Sequence, residues 1–316
     1  MAREVDFASI RGLRVGQAET DDRASGVTVV LFDQATPTVV DVRGGASATY
    51  DTASLALDAT FGRRWAVFFS GGSLYGLDAA RGIRTRILEA GGGAPAFRNP
   101  NPVVPISGAA LFDLPRARGP IPDYLPLGYE AARIASRDPV AEGSVGAGAG
   151  ATVGKYLGRH RAMRGGVGTA ASWLAGRAAI GVLVVLNAVG GIRDPGSGRW
   201  LAGARAPKGG IAPPQPRGSR DRTSGTTLAL VATDLELARP VLSRIAAMTH
   251  TGLASTIVPF HSSTDGDVVF AAATGAAGRP PEERRPGELA DRLGHLAAEL
   301  AGTAVRCAVS AANPPG

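Results

Sequence analysis

The sequence predicts a layered α/β fold, and three features of its patterning support this prediction. Apolar runs at residues 65–70, 181–189 and 226–233 have the composition of buried strands. Near the end of the chain, leucines at positions 289, 293, 296 and 300 recur at helical spacing. Strands and helices mix without strict alternation, which favours layers of sheet and helix over a doubly wound parallel sheet.

Turn residues and apolar periodicity place the elements of the first half of the chain. A helix begins near Leu74, where apolar residues recur every three to four positions, and it ends at consecutive glycines. In order, the predicted elements are strands at 27–32 and 39–42 joined by a turn at 33–37, a strand at 65–70, the helix from Leu74 to the glycines at 91–93, a strand at 103–114 and a short helix at 127–136.

The second half contains a long stretch without apolar periodicity, residues 191–225, which is rich in glycine, proline and arginine. We predict a linker there, and a linker of this length inside a compact domain is often functional. No internal repeat occurs, so we expect one domain over residues 1–316. The other predicted elements are strands at 181–189, 226–233, 257–260 and 268–273, a helix at 238–251 and a C-terminal helix over 289–311.

The composition argues against several classes of protein. The net charge is +7, but the arginines are scattered and aromatic residues make up only 5% of the chain, which argues against nucleic-acid binding. One cysteine, Cys307, excludes a disulfide framework. The N-terminus lacks the apolar core of a signal peptide, and the apolar run at 178–191 is too short to cross a bilayer. We therefore expect a cytoplasmic protein without membrane contact.

Common catalytic and cofactor motifs do not match this sequence. In the G-x-S-x-G nucleophile motif, Tyr75 takes the place of the second glycine after Ser73. In the phosphate-binding loop, Ala149 replaces the first glycine, and Tyr156 follows Lys155 where serine or threonine is required. The four histidines lack the spacing of metal ligands. We expect neither a metal nor a cofactor.

Four polar residues occur in settings that invite a functional interpretation. Lys155, one of only two lysines, follows a stretch of glycine and alanine, and is either a surface residue or a desolvated amine of lowered pKa. Asn187 lies in a predicted buried strand, where it is either a structural amide or an oxyanion donor. Asp265 and Asp267 share one polar turn, which ordinary turn chemistry also explains.

The junction between Gly225 and Thr226 joins the predicted linker to a buried strand. Self-cleavage before Thr226 would free an α-amine with a pKa near 7.7–8.0, which can deprotonate the threonine hydroxyl and activate it as a nucleophile. Gly225 would tolerate the strained backbone that the first attack needs. The alternative is an ordinary junction between a loop and a strand.

Taken together, the segments resemble the self-cleaving amidases that include DmpA-type aminopeptidases, β-peptidyl aminopeptidases and nylon-oligomer hydrolases. The resemblance covers roughly residues 10–311. It rests on five segments in the same order: 70–79 (SGGSLYGLDA), 150–155 (GATVGK), 186–190 (LNAVG), 225–228 (GTTL), and 259–261 (PFH) with 265–267 (DGD).

This resemblance implies an αββα sandwich of the N-terminal-nucleophile hydrolase type, which ornithine acetyltransferases share. It also implies cleavage into an α chain of residues 1–225 and a β chain of residues 226–316. The two chains would stay associated, commonly as a homotetramer of such pairs.

The resemblance further implies a role for each polar residue of the matching segments. Thr226 would be the nucleophile and the new N-terminus. Lys155 and Asn187 would steady the oxyanion at the reacting carbonyl. Asp265 and Asp267 would hold the amine and the hydroxyl of Thr226 in place.

The match is mixed between two subgroups of this family. Thr226 with an Asp-Gly-Asp segment resembles the nylon-oligomer hydrolases, whereas Gly225 before the nucleophile resembles the aminopeptidases. Substrate contacts are implied at Tyr75 and at Phe112, where the nylon-oligomer hydrolases have tyrosine. The expected substrates are therefore 6-aminohexanoate oligomers or the N-terminal residues of short peptides.

Two other functions stay open at this point. One is acyl transfer of the ornithine acetyltransferase kind, which the segment at 70–79 fits poorly. The other is an arginine-rich binding protein without catalysis. A denaturing gel that shows one persistent full-length band would argue against both self-cleaving enzymes.

Overall fold

The computed structural model of the protein describes residues 5–96, 99–114, 120–174, 178–214, 224–280 and 285–314. The helices in these ranges are α1 (Ala79–Glu89), α2 (Tyr124–Arg133), α3 (Arg239–Thr256) and α4 (Pro286–Ala312). The strands are β1 (Leu13–Glu19), β2 (Gly26–Val42), β3 (Ala48–Tyr50), β4 (Arg63–Ser70), β5 (Ala94–Ala96), β6 (Asn99–Val103), β7 (Ile106–Ala110), β8 (Thr152–Val153), β9 (Met163–Arg164), β10 (Gly166–Trp173), β11 (Ala179–Asn187), β12 (Gly191–Arg193), β13 (Trp200–Ala202), β14 (Ala204–Arg205), β15 (Ile211–Ala212), β16 (Thr226–Leu235), β17 (Ile257–Val258) and β18 (Val268–Gly278).

The long strand β2 belongs to two sheets. Its last residues pair with β18 in a sheet of order β10–β11–β16–β18–β2, and its first residues lie between β1 and β4 in a sheet of order β1–β2–β4–β7–β3. The pairs β16–β18 and β4–β7 are parallel, and the other pairs in this path are antiparallel. Strand β16 therefore lies inside the first sheet, with partners on both sides.

Three clusters of buried apolar side chains define the order of the layers. Leu230 of the first sheet and Phe69 of the second belong to the cluster between the sheets. Their neighbours Val231 and Phe68 point the opposite way, because successive strand residues face opposite sides of a sheet. The outer face of the first sheet packs on α3 and α4, and that of the second packs on α1 and α2. This order confirms the predicted layered α/β fold and its αββα arrangement.

Most predicted elements are present, although their ends differ. The strands predicted at 65–70, 181–189 and 226–233 are β4, β11 and β16, and the predicted C-terminal helix is α4. The predicted helix from Leu74 begins as a 3-10 turn, Ser73–Asp78, and becomes α-helical only at Ala79. The strand predicted at 268–273 continues to Gly278.

The turn predicted at 33–37 is wrong, because the chain stays extended there as part of β2. Its pairing with β4 shifts register between Leu31 and Thr36, so the polar residues mark an irregularity and not a reversal. This is the stretch in which the chain passes from one sheet to the other. If the chain had reversed direction here, one continuous strand would not join the two sheets.

The strand predicted at 103–114 is also wrong in its extent. Proline at 105 cannot donate a ladder hydrogen bond, and it separates β6 from β7. Strand β7 ends at Ala110, after which the chain crosses towards the loop that follows β4. Leu111 N–H donates to the carbonyl of Ser70 at 2.8 Å on this path.

The stretch 191–225, predicted as a linker, contains four short strands in its described part, β12 to β15. The hydroxyl of Tyr156 donates to the carbonyl of Ala212 at 2.6 Å and accepts from the N–H of Ala204 at 3.2 Å. These contacts hold the stretch beside the glycine-rich segment that precedes Lys155. Residues 215–223 of the predicted linker lie outside the described residues.

Helices α3 and α4 approach each other closely at Gly252. A β-carbon built on this glycine would lie 1.9 Å from the carbonyl oxygen of Ala298, so only a hydrogen fits.

Among the helices of the described ranges, none has both the length and the apolar character that a bilayer crossing requires.

We expect Gly252→Ala to lower the free energy of unfolding by about 1–3 kcal/mol, because the added methyl forces two helix backbones apart. Helix propensity alone predicts the opposite sign, a gain of up to about 1 kcal/mol. Gly287→Ala in α4 is the matched control, since nothing lies within 4 Å of its added carbon. Urea unfolding followed by circular dichroism measures both variants, and a stabilised Gly252→Ala would contradict the close packing.

Candidate active site

Thr226 is the first residue of the central strand β16 and is only 4% exposed. It lies opposite Asn187, the last residue of β11. Its hydroxyl donates to the carbonyl of Gly225 at 2.5 Å. The same carbonyl oxygen accepts the N–H of Gly266 at 2.9 Å. The peptide group before Thr226 is thus held on both sides in a buried site.

Glycine is the only residue type that fits at position 225. A β-carbon there would lie 2.3 Å from the nitrogen of Val189 and 2.4 Å from Oδ1 of Asp265. The N–H of Gly225 donates to the carbonyl of Thr264 at 3.2 Å. Together with the bond from Gly266, this contact fixes the junction against the turn that carries Asp265.

Lys155 is fully buried, so its interpretation as a surface residue is excluded. It begins a short 3-10 turn after Gly154, which adopts a positive φ of 75° and packs against the backbone of Gly203. The ammonium donates to the main-chain oxygen and to Oδ1 of Asn187, each at 2.6 Å. Burial, helped by the Arg159 guanidinium, holds the pKa of Lys155 well below its usual 10.5.

Asn187 is hydrogen-bonded through both ends of its side-chain amide. Its Oδ1 accepts from Thr152 N–H at 3.0 Å as well as from Lys155, and its Nδ2 donates to the carbonyl of Phe112 at 3.1 Å. These contacts explain how a polar side chain is accommodated in a buried strand. They also fix Phe112 and Lys155 next to the strand end that faces Thr226.

Asp265 and Asp267 are buried on either side of Gly266, in the turn between β17 and β18. Asp265 accepts from the N–H groups of Val189 and Ser262 at 3.3 and 3.0 Å. Burial and, second, the nearby charge of Asp267 raise the pKa of Asp265. Asp267 accepts the N–H of Thr227 at 2.7 Å, one residue beyond the predicted nucleophile.

Asp113 connects the loop after β4 to this site. It follows Phe112, and its carboxylate accepts from Gly72 N–H and from the hydroxyl of Ser25, each at 2.7 Å. Burial raises the pKa of Asp113. The anchored loop leads directly into the 3-10 turn that carries Tyr75, which is 50% exposed.

The structure brings five of the predicted site residues into one buried cluster around the junction at Gly225: Thr226, Lys155, Asn187, Asp265 and Asp267. Phe112 borders this cluster through its main chain, and its ring is 38% exposed. Tyr75 is linked to the cluster only through the Gly72–Asp113 contact, and its role as a substrate contact stays a prediction.

Sequence patterns assigned no role to three groups near the junction, although His261 lies in the matching segment 259–261. The N–H of Gly266 is a main-chain donor, which no residue pattern encodes. Asp113 is separated from the loop that it anchors by some forty residues. His261 pairs with Asp267, Nδ1 to Oδ2, at 2.9 Å; its place beside the DGD segment was the one available signal.

A family model described as peptidase family S58 matches residues 6–315. The chain belongs to peptidase family S58. It is therefore a hydrolase of amide or peptide bonds, and the resemblance seen in its sequence motifs is confirmed.

The relatives of this chain carry two kinds of name. An uncharacterized aminopeptidase of Mycobacterium tuberculosis (strain H37Rv) is 37% identical over 98% of this chain and 94% of the relative. A 6-aminohexanoate-oligomer endohydrolase of Kocuria sp. (strain KY2) is 29% identical over 93% of this chain and 83% of the relative.

Two solved structures have a fold similar to that of this chain. A Burkholderia sp. β-aminopeptidase aligns with a TM-score of 0.70 and 21% identity, over 98% of this chain and 87% of that chain. The L-aminopeptidase D-Ala-esterase/amidase of Ochrobactrum anthropi, described as a variant of the Ntn hydrolase fold, aligns with a TM-score of 0.68 and 20% identity, over 97% and 86%. The implied N-terminal-nucleophile hydrolase fold is confirmed.

The buried amine of this S58 protein makes a testable contribution to stability. Because the folded pKa of Lys155 lies below the unfolded value, the unfolded chain binds more protons between these two pH values. The contribution of Lys155 to the free energy of unfolding therefore rises with pH through that window. It rises by about 1.4 kcal/mol for each pH unit that separates the folded pKa from the unfolded pKa.

We expect Lys155→Met to remove this slope, so that the lysine chain gains stability relative to the methionine variant as the pH rises towards the unfolded pKa of lysine. Urea unfolding at several pH values, with Thr226→Ala in both chains to keep them intact, measures the difference. Lys208→Met is the matched control, since residue 208 is exposed. Parallel pH curves for the lysine chain and Lys155→Met would contradict a desolvated amine.

Proposed function

We propose that this chain cleaves itself between Gly225 and Thr226, and that the freed Thr226 is the nucleophile of its amide hydrolase activity. The observation that carries the proposal is the buried Thr226 hydroxyl, within 2.5 Å of the Gly225 carbonyl oxygen at the start of the central strand. Lys155 and two carboxylates surround the same junction.

In the first reaction, the Thr226 hydroxyl oxygen attacks the carbonyl carbon of Gly225. The bond from this carbon to the Thr226 nitrogen breaks, the nitrogen takes a proton, and an ester links Gly225 to the threonine oxygen. Water then hydrolyses the ester to a Gly225 carboxylate and a free Thr226 hydroxyl. The N–H of Gly266, at 2.9 Å from the carbonyl oxygen, supports the negative charge that develops there.

In the second reaction, the new α-amine acts as the base for its own hydroxyl. Its pKa near 7.7–8.0 makes it partly neutral at neutral pH, so it can accept the hydroxyl proton as the oxygen attacks the substrate carbonyl. The substrate amide leaves as an amine after it takes a proton, and water releases the acyl group from Thr226. Lys155 and Asn187 would steady the oxyanion, and Asp265 and Asp267 would orient the threonine.

Strand pairing supports the proposal that both cleavage products stay together. Eight residue pairs join β16 to β11, from Asn187–Thr226 to Ile180–Thr233, and β11 belongs to the N-terminal product. Strand β18, on the other side of β16, pairs with β2 of the same product. Cleavage at residue 225 would therefore leave the sheet intact. We extend this proposal to a homotetramer of such pairs, as the family resemblance implies, and to the cytoplasmic location expected from the sequence.

The proposed substrates are linear amides, either 6-aminohexanoate oligomers or short peptides with a free N-terminus. Support comes from the names of the relatives, which divide between endohydrolase and aminopeptidase. A release assay that compares amino-acid p-nitroanilides with 6-aminohexanoate oligomers distinguishes the two. We expect turnover of at least one class by the processed protein, and turnover of neither would contradict this choice of substrates.

Self-cleavage is tested by replacing the nucleophile. We expect Thr226→Ala to give one full-length chain without hydrolase activity, because no hydroxyl remains to attack Gly225. Wild-type protein should give two bands on a denaturing gel, the smaller with the N-terminal sequence Thr-Thr-Leu-Ala. Thr227→Ala is the matched control, since it removes a hydroxyl one residue away in the same buried strand.

Two outcomes would overturn the assignment. A wild-type chain that stays intact after prolonged incubation removes self-cleavage from the proposal. A Thr226→Ala chain that is cut at the same bond shows that another group, or a contaminating protease, performs the cleavage.

A further inference from the structure

His261 contacts the buried carboxylate of Asp267 at two points. Its main-chain N–H donates to Oδ2 of Asp267 at 3.2 Å, and its ring Nδ1 lies 2.9 Å from the same oxygen. Asp267 is completely buried, and its other oxygen accepts the N–H of Thr227. One carboxylate thus connects the histidine to the strand residue next to Thr226.

The backbone of His261 is unusual, because its φ of 58° lies in the left-handed region. Residues other than glycine hold this conformation at a cost of about 1–3 kcal/mol, and such strain clusters at functional sites. In this conformation the N–H and the ring of the same residue converge on one oxygen of Asp267. The double contact offsets part of the strain.

The surroundings of the ring select one of its tautomers. Nε2 of His261 is buried and has no hydrogen-bond partner among the residues that the structure describes. A proton on Nε2 would therefore be a buried donor without an acceptor, whereas a proton on Nδ1 faces Asp267. The geometry favours the tautomer with its proton on Nδ1.

Two aromatic rings fix the imidazole in its place. The centroid of Phe260 lies 3.9 Å from that of His261, and the ring of His250 approaches it edge-on at 4.8 Å. Burial is the main cause that lowers the pKa of His250 to about 4, so this second ring is neutral at neutral pH. His250 therefore packs against His261 without adding a charge.

We propose that His261 is a positioning residue of the active site. Its Nδ1–H holds the Asp267 carboxylate in the orientation in which Oδ1 accepts the N–H of Thr227. Without the ring, Asp267 would keep one main-chain donor on Oδ2 and could rotate about its side-chain bonds. Rotation would break the hydrogen bond from Thr227 N–H to Oδ1, one residue beyond Thr226. The catalytic consequence rests on the proposed function, whereas the His261–Asp267 bond does not.

Three substitutions at position 261 separate positioning from packing. Glycine keeps the positive φ and the main-chain bond but removes the ring. Asparagine also tolerates the left-handed region, and its side-chain nitrogen can replace Nδ1 as a donor. Leucine fills the space without a donor. All three are compared with wild type for thermal stability, self-cleavage rate and kcat.

We expect His261→Gly and His261→Leu to lower the cleavage rate and kcat by about 10- to 100-fold, with KM within about threefold of wild type, because a misplaced nucleophile affects the reaction more than binding. His261→Asn should recover most of both rates. Equal losses in the asparagine and leucine variants, or wild-type rates in the glycine variant, would overturn the proposal.

A second measurement does not depend on activity. In the intact Thr226→Ala chain, labelled with ¹⁵N-histidine, we expect the His261 Nδ1 proton to be visible and protected from exchange, and to disappear in a further Asp267→Ala variant, which has no side-chain acceptor for it. If wild type neither cleaves nor hydrolyses amides, the proposed function fails, while this spectrum still tests the histidine–aspartate pair. A proton found on Nε2 and absent from Nδ1 would overturn it.

Discussion

The pairing of strand β16 with neighbours on both sides is the constraint on which the site depends. Antiparallel pairing with β11 places Asn187 opposite Thr226, and parallel pairing with β18 brings the preceding turn, with both aspartates, to the same end of the sheet. The junction at Gly225 enters the sheet where these partners converge. A shift of one residue in either register would turn Thr226 away from the groups that surround it.

Ionisable groups are distributed unequally around this junction. The buried Lys155 amine lies on the side of β11, where the side-chain and main-chain oxygens of Asn187 accept its hydrogen bonds. Two buried aspartate side chains lie on the side of β18, and both accept hydrogen bonds from main-chain N–H groups. Each ionisable group is thus held by polar groups of the protein before any substrate arrives. A site of this kind needs little reorganisation when charge develops on a reacting carbonyl.

The sequence predicted the strongly patterned parts of the molecule and the residues of the candidate site, for different reasons. Short apolar runs such as 181–189, which is rich in valine and interrupted only by Asn187, favour buried strands, so their prediction did not depend on the rest of the fold. The polar stretch at 33–37 was misinterpreted, because a strand that passes between two sheets carries turn-like residues without turning. Lys155 and Asn187 stood out by contrast with their apolar neighbours, but only the fold shows that they bond to each other. Gly266 acts through its main chain and His261 through the carboxylate of Asp267, so residue type alone reveals neither role.

The position of the junction within the sheet affects how the protein can refold. The segment from Thr226 onward supplies the helices α3 and α4, which form most of one outer layer. It also supplies β16 and β18, two inner strands of the first sheet. An intact chain folds in a unimolecular process. A chain cut at residue 225 would have to recover its sheet from two separate polypeptides, in a process whose rate depends on concentration. The cleaved form would then persist because it unfolds slowly. In the cell, folding would have to come first and cleavage second.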